Sequence, residues 1–378
     1  MKSLLIIIDG LGDDKISALG NKSPFDYAHH VNIDNIAANG VRGSLSVCER
    51  DFTPESLKCI LRLLGVKSDD FPTNRAYLEL LAERRDISDQ QMVLRCNLVS
   101  VDKTGELLSF NGEGLTLKAM QEAAGQLGEL SGDIDFVHLS GYRNLLIAAK
   151  NTKLLGQVIV KPPHESVGEN INDLLSDLKE VSPNLQNFLA KAQANLKNFA
   201  KNGEHYELYP WGVSERTTMQ SFSQRHGGLK SAVICSAEVV RGIATSLNME
   251  CPKLLHATGE IDTDLQEKAV ATIKMLKTND FVMTHFNGTD EAAHRKNYCE
   301  KASFITKIDK EFFPVLLKNI EEPTKVFICG DHGTSSLTGK HLARPVPFVA
   351  GIIAGSGVIK PIEKYQDIWS FLYERGSK

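Results

Sequence analysis

Short apolar runs, each closed by an acidic or glycine-bearing turn, set the pattern of this chain. Residues 3–8, 281–286 and 326–329 are strand-like stretches with almost no polar alternation, as expected of strands buried on both faces in a parallel sheet. A similar run at 231–235 precedes amphipathic stretches at 237–247, 264–276 and 298–319, with Leu254 and Leu255 between the first two. Strand and helix patterns alternating in this way predict a doubly wound, mostly parallel α/β sheet. Nearer the start, residues 32–40 have one apolar face and end in Gly40, as a short helix does. Residues 43–47 then read as a strand, and 57–64, ending at Gly65, as a buried helix.

From about residue 80 the texture changes. Residues 92–101 and 105–110 read as paired strands, 117–127 as a helix, and 135–139, 145–148 and 157–160 as further strands. A polar helical segment over 170–202, with leucines three and four apart, would connect back to the core. The chain is therefore expected to have a discontinuous core, residues 1–79 and 200–378, interrupted by a smaller inserted α+β domain over 80–199.

Composition narrows the class. With 378 residues, 42% of them hydrophobic and 24% charged, the chain can bury a large core and falls outside the disordered classes. A formal net charge of −4 gives no overall reason to bind nucleic acid or an anionic membrane. The seven cysteines, at 48, 59, 96, 235, 251, 299 and 329, show no Cys-x-x-Cys pair and predict reduced thiols without a disulfide or zinc framework. The first apolar stretch spans only about six residues before Asp9, too few for a signal peptide or membrane span. A cytoplasmic location is the resulting expectation.

The chemistry gathers where apolar runs end. Residues 326–329 lead into Gly330, Asp331, His332 and Gly333. A carboxylate and an imidazole at a strand end suit a divalent cation, although a helix-capping Asp and a solvated loop His would look the same. Residues 281–286 lead into Thr289, Asp290 and His294. If a helix starts near Thr289, with its hydroxyl as N-cap, Asp290 and His294 share one face. The first run ends in Asp9 and Gly10, either a simple turn or a ligand loop. Three acidic strand ends in one chain argue against independent turns. Ser56, before the 57–64 run, would serve either as an N-cap or in the field of a helix N-terminus that favours anions. His341 lies nine positions beyond His332.

Taken in order, these residues resemble the alkaline phosphatase superfamily and, within it, the cofactor-independent phosphoglycerate mutases of the archaeal type. The likeness runs nearly end to end, through Asp9-Gly10-Leu11-Gly12-Asp13, Pro54-Glu55-Ser56, Arg95-Cys96-Asn97, Thr289 to His294, Gly330 to Thr334 and Pro345-Val346-Pro347. It implies an alkaline-phosphatase-like core, with residues 80–199 as a substrate-binding or lid domain. It also implies two divalent ions, manganese or zinc, and no 2,3-bisphosphoglycerate. One ion would be held by Asp290, His294 and His341, the other by Asp9, Asp331, His332 and the Ser56 oxygen. Ser56 would be the nucleophile and pass through phosphoserine, since metal coordination overcomes the poor nucleophilicity of a neutral serine. The substrate would be a small phosphorylated hydroxy acid. Arg75, Arg95, Arg143 and His164 match the family's substrate contacts, and arginine forks suit phosphate and carboxylate. As isolated residues they read equally as solvated or structural side chains.

The likeness has departures. Leu57 stands where the mutase pattern has an acidic residue, Asn74 and Ala76 replace glycines around Arg75, and Asn287 replaces a lysine. Trp211-Gly212, after Pro210, stands where the mutases carry Pro-Arg-Gly and is similar to a sister group, some of whose members have been proposed to phosphorylate homoserine. The leading expectation is a metal-dependent mutase acting through phosphoserine. The alternatives are a phosphohydrolase or a phosphonate- or homoserine-pathway phosphotransferase with the same centre, and then a non-catalytic binding protein. The sequence leaves the oligomeric state open.

Overall fold

The computed structural model of the chain describes residues 1–47, 54–130, 132–150, 157–200 and 203–373. Cys48 and residues 201 and 202 of the segment read over 170–202 lie outside them. The chain divides into two compact units, Met1–Phe71 with Met219–Lys378, and Pro72–Thr218. The first unit opens with β1 (Lys2–Ile8) and β2 (Val41–Leu45). The second carries β3 (Gln91–Val101), β4 (Leu107–Ser109), β5 (Ile134–Ser140), β6 (Arg143–Ala149) and β7 (His205–Glu215). Back in the first unit come β8 (Ser231–Ile234), β9 (Phe281–Phe286), β10 (Thr324–Cys329), the two-residue β11 (Gly333–Thr334) and β12 (His341–Leu342), and β13 (Val346–Ile353).

The first unit is built on a six-stranded sheet in the order β2-β13-β10-β1-β9-β8. Four neighbouring strands, β10, β1, β9 and β8, run parallel, and at the other side β13 pairs antiparallel with β10 and β2 antiparallel with β13. Residues Leu4 to Ile8 have no exposed surface, which explains why that strand shows no polar alternation. Leu4, Ile6 and Ile8 join a core with Phe286, Val326, Phe304, Phe312, Phe313 and Leu316. The mostly parallel α/β class expected from sequence is the one observed.

Several local expectations are corrected. The strand read at 43–47 lies at Val41–Leu45, where pairing with β13 fixes it. Leu254, Leu255 and residues 158–160 form no strand, and Pro162 and Pro163, which cannot donate to a ladder, follow directly. The single helix read over 298–319 is two helices, Tyr298–Lys307 and Phe313–Asn319, joined by a wide π turn at Ile308–Phe312. Pro314 has no N–H to give. Within the wide turn the buried Asp309 carboxylate accepts from the backbone N–H of Asn32 (3.1 Å) and of Ile33 (3.0 Å).

The division of the chain also falls elsewhere than at 79/80 and 199/200. It lies at 71/72 and 218/219, because both flanks take part in the second unit's fold. β7 pairs antiparallel with β3 along most of its length, and the helix Ala76–Ala82 packs on both strands. Over the described residues 170–200 the segment is not a connector. It forms the helices Ile171–Leu174, Ser176–Val181 and Pro183–Leu196, whose Leu178, Leu185, Phe188 and Leu196 share a core with Leu94, Leu98 and Leu146.

Candidate metal centre

Strand order brings the acidic turns together. β1 lies between β10 and β9, with Ile7 opposite Cys329 and Ile8 opposite Phe286. Three parallel strands therefore end side by side, where open α/β sheets place their ligands. Asp9 follows β1, Asp331 and His332 follow β10, and the helix Gly288–His294 after β9 carries Asp290 and His294. His341 sits on β12, paired opposite Thr334. Ser56 is the first residue of the helix Ser56–Leu63.

Gly10 makes the approach possible. Its φ is +63°, and a Cβ there would lie 2.6 Å from Asp290 Oδ1 and 2.9 Å from Thr334 Oγ1. The expected N-cap role of Thr289 is not seen. Asn287 occupies the cap position, and the Thr289 hydroxyl donates to the Asp9 carbonyl, tying the helix that carries Asp290 and His294 to the first strand end.

All seven residues expected at the metal site meet in the first unit. His332 Nε2 lies 3.1 Å from Ser56 Oγ, 3.4 Å from Asp9 Oδ1 and 3.6 Å from Asp331 Oδ2. Ser56 Oγ is 3.3 Å from Asp9 Oδ2. Beside this group, His294 Nε2 lies 3.1 Å from Asp290 Oδ2 and 3.1 Å from His341 Nε2, which is 3.9 Å from Asp290 Oδ1. Backbone acceptors set the outer ring nitrogens: His294 Nδ1 pairs with Gly339 O at 2.8 Å and His341 Nδ1 with Pro54 O at 2.7 Å. Both Nε2 atoms are thus left facing Asp290, the arrangement that orients metal-ligating histidines.

The electrostatics fit a cation. Burial, then the Asp331 and Asp290 carboxylates, push the Asp9 carboxyl well above its ordinary range. Burial acts the same way on Asp290, but the His294 hydrogen bond and the nearby His332 and His341 rings hold it below the usual carboxylate range. The same hydrogen bond raises His294 to about 9 against the effect of burial. Asp331 Oδ2 is buried without a hydrogen-bond partner. A fully buried carboxylate oxygen without a donor, among like charges, is what divalent ions with oxygen and imidazole ligands satisfy. Ligand atoms from Asp9, Asp331 and His332 lie within 4.8 Å of one another, as do those from Asp290, His332 and His341.

The other four candidates lie in the second unit. Glu79 joins two of them, with Oε1 3.0 Å from Arg75 Nε and Oε2 3.1 Å from Arg95 Nε. The Arg95 guanidinium lies 4.1 Å from the centre of the Trp211 ring, whose Nε1 donates to Asn97 Oδ1. Burial and the neighbouring Arg75 charge lower Arg95 to about 10. Arg143 donates to Ser140 Oγ at 2.8 Å. The half-exposed His164 ring stands edge-on 6.3 Å from Trp211 and 6.2 Å from Phe110.

Sequence reasoning missed His285, Thr334 and Glu79. His285 sits inside β9 and points to Asp9, Thr334 donates to Asp290 Oδ1, and Glu79 holds the two arginines. A polar residue within an otherwise apolar parallel strand was the available signal for the first.

A sequence model of the metalloenzyme superfamily matches residues 1–365. A protein of Methanopyrus kandleri named 2,3-bisphosphoglycerate-independent phosphoglycerate mutase is 28% identical over 97% of this chain and 91% of its own length. One of the same name from Thermococcus kodakarensis is 29% identical over 94% of this chain and 89% of its own. Among solved structures, a protein from Pyrococcus horikoshii superposes with a TM-score of 0.75 at 24% identity, covering 98% of this chain and 92% of that one, and so shares the fold.

Proposed function

The chain belongs to the metalloenzyme superfamily, and from that premise we propose that it is a phosphoserine-forming phosphotransferase. Its activity on this reading is that of its relatives named 2,3-bisphosphoglycerate-independent phosphoglycerate mutase, the interconversion of phosphoglycerate isomers without a bisphosphate cofactor. The observation that carries the reading is the Ser56 hydroxyl, at the start of a helix and 3.1 Å from His332 Nε2 and 3.3 Å from Asp9 Oδ2.

Two divalent ions, manganese or zinc, held by Asp290, His294 and His341 and by Asp9, Asp331, His332 and Ser56, would lower the serine pKa and stabilise charge on the transferring phosphoryl group. Ser56 Oγ attacks phosphorus in line, the bond from phosphorus to the substrate oxygen breaks, and that oxygen recovers a proton as a free hydroxyl. In the second half the neighbouring hydroxyl of the retained acid attacks phosphoserine, returning the serine. The N-terminus of the helix Ser56–Leu63 favours the charge that develops there. Arg75, Arg95, Arg143 and His164 are assigned to the anionic groups of the acid. Arg75 and Arg95, braced by one carboxylate, support that assignment.

Cys59, Cys96, Cys235, Cys251, Cys299 and Cys329 form no disulfide, which supports a reducing, cytoplasmic setting. Among the described residues no helix is long and apolar enough to cross a membrane. The test is to load the protein with manganese, supply 3-phosphoglycerate and follow 2-phosphoglycerate together with free phosphate. Accumulation of 2-phosphoglycerate is expected, and release of phosphate alone overturns the mutase assignment. That second outcome would support a phosphohydrolase or other phosphotransferase, a reading favoured by Trp211 stacked on Arg95 where a mutase would carry one more cation.

A further inference from the structure

Beneath the candidate centre lies a cation that the reaction scheme does not use. Lys301, in the helix Tyr298–Lys307, has no exposed surface. Its Nζ lies 2.7 Å from Gly10 O, 3.4 Å from Gly12 O, 2.9 Å from Thr334 O and 2.8 Å from Asp13 Oδ2. These oxygens belong to the turn after Asp9 and to the turn after Asp331 and His332. Asp13 in turn accepts from Ser336 N and Ser336 Oγ, and Thr334 N donates to Gly12 O. One ammonium group thus bonds both ligand-bearing turns at once.

Such a group is costly to bury unless its protons are all satisfied. Here four oxygens surround three protons, and the Asp9, Asp290, Asp331 and Asp13 side chains are all nearly or wholly buried in the same region. Burial lowers the Lys301 pKa, while Asp13 first, and then Asp290 and Asp9, favour the charged form. We infer that Lys301 is a positioning residue, an internal cation in an oxygen cage that holds the Asp9 and Asp331–His332 turns at metal-binding spacing. Its Nζ contacts are with backbone carbonyls and Asp13, none of them a side chain assigned to the ions. The inference rests on the metal-binding part of the proposed function and is independent of the mutase activity.

The experiment compares Mn²⁺ binding by calorimetry and amide hydrogen exchange over residues 9–13 and 331–336. Lys301→Met is expected to weaken Mn²⁺ binding by about 10-fold or more, the scale of losing an outer partner of a ligand, and to speed exchange in both turns. Leu316→Ala, a core truncation outside the residues that bond Lys301, supplies a control that lowers thermal stability without that loss. Lys301→Ala leaves the oxygens around an ammonium-sized space, so added ammonium or butylammonium should restore Mn²⁺ affinity and tetramethylammonium should not. Wild-type affinity and exchange in Lys301→Met, or weakened binding in Lys301→Ala that no amine restores, overturns the proposal. If Lys301→Met does not fold, Asp13→Asn carries the same test, with unchanged affinity and exchange counting against it. Should the wild-type protein bind no manganese, the metal assignment fails separately, and loop exchange still decides whether Lys301 holds the turns.

Discussion

His285 Nε2 lies 3.1 Å from Asp9 Oδ2, and both side chains are closed off from solvent. Burial lowers the histidine to about 4, so the ring is neutral near pH 7, and against an ionised Asp9 the contact takes its proton on Nε2. An imidazole donating to a carboxylate ligand fixes the direction from which that ligand meets a metal. Replacing His285 by Leu should lower Mn²⁺ affinity by about 10- to 100-fold, read by equilibrium dialysis. His285→Gln, which keeps a donor, should recover part of it. Equal affinity in all three proteins would remove the positioning role.

Ser56→Ala tests the nucleophile. The hydroxyl makes only 3.1 to 3.4 Å contacts, and its residue starts a helix whose Leu57, Ile60, Leu61 and Leu63 are buried. The fold should survive with little change in thermal midpoint. Turnover should fall by about 10³-fold or more, as losses of covalent nucleophiles do, and phosphoserine should disappear from rapidly quenched mixtures. Undiminished turnover would rule Ser56 out.

The parts legible in the sequence were those whose signal is local. Unalternating apolar runs marked β1, β9 and β10, and the acidic residues within a few positions of their ends marked the candidate ligands. The pairing order that makes those ends neighbours is not local, since β1 meets its two partners only across most of the chain. Trp211 and Arg95 show the same limit. Arg95 on β3 meets Trp211 through antiparallel pairing with β7, and β7 lies far beyond it in sequence. Lys301 was hidden for another reason. A lysine one turn into an amphipathic helix reads as solvent-facing, and only the surrounding carbonyls reveal its burial.

Lys268 gives a pH signature separate from the metal centre. It is buried, donates to His285 O at 2.9 Å and lies over the Phe286 ring, and burial lowers its pKa from 10.5 to about 8. Between those two values the unfolded chain binds this proton and the folded chain does not, so the lysine favours folding more as pH rises. The unfolding free energy of wild type minus that of Lys268→Met should therefore be flat below about 8 and climb up to 10.5. The total climb should be roughly 3 kcal/mol. Denaturant titrations across that range give the measurement, and a difference that falls with pH would contradict the assignment.

Trp211 offers an optical test of the arginine group. With Trp369→Phe, Trp211 is the sole tryptophan of the two in the sequence. Its indole lies against Arg95 and near His164. Titration with 3-phosphoglycerate should shift its emission, and Arg95→Ala should weaken that titration by about 10-fold or more, as losing a charge-assisted contact does. An unchanged midpoint would remove Arg95 from the substrate contacts.

The place of β1 in the sheet also governs when the protein can become active during synthesis. The strand precedes both of its neighbours in the chain, since β9 and β10 begin at Phe281 and Thr324. Until those segments leave the ribosome, the apolar β1 has neither parallel partner available and needs shielding from aggregation. The Pro72–Thr218 unit, whose strands and helices all come from one continuous stretch, can be completed in the meantime. Ser56 accordingly waits, chemically silent, until the turns after β9 and β10 have been translated.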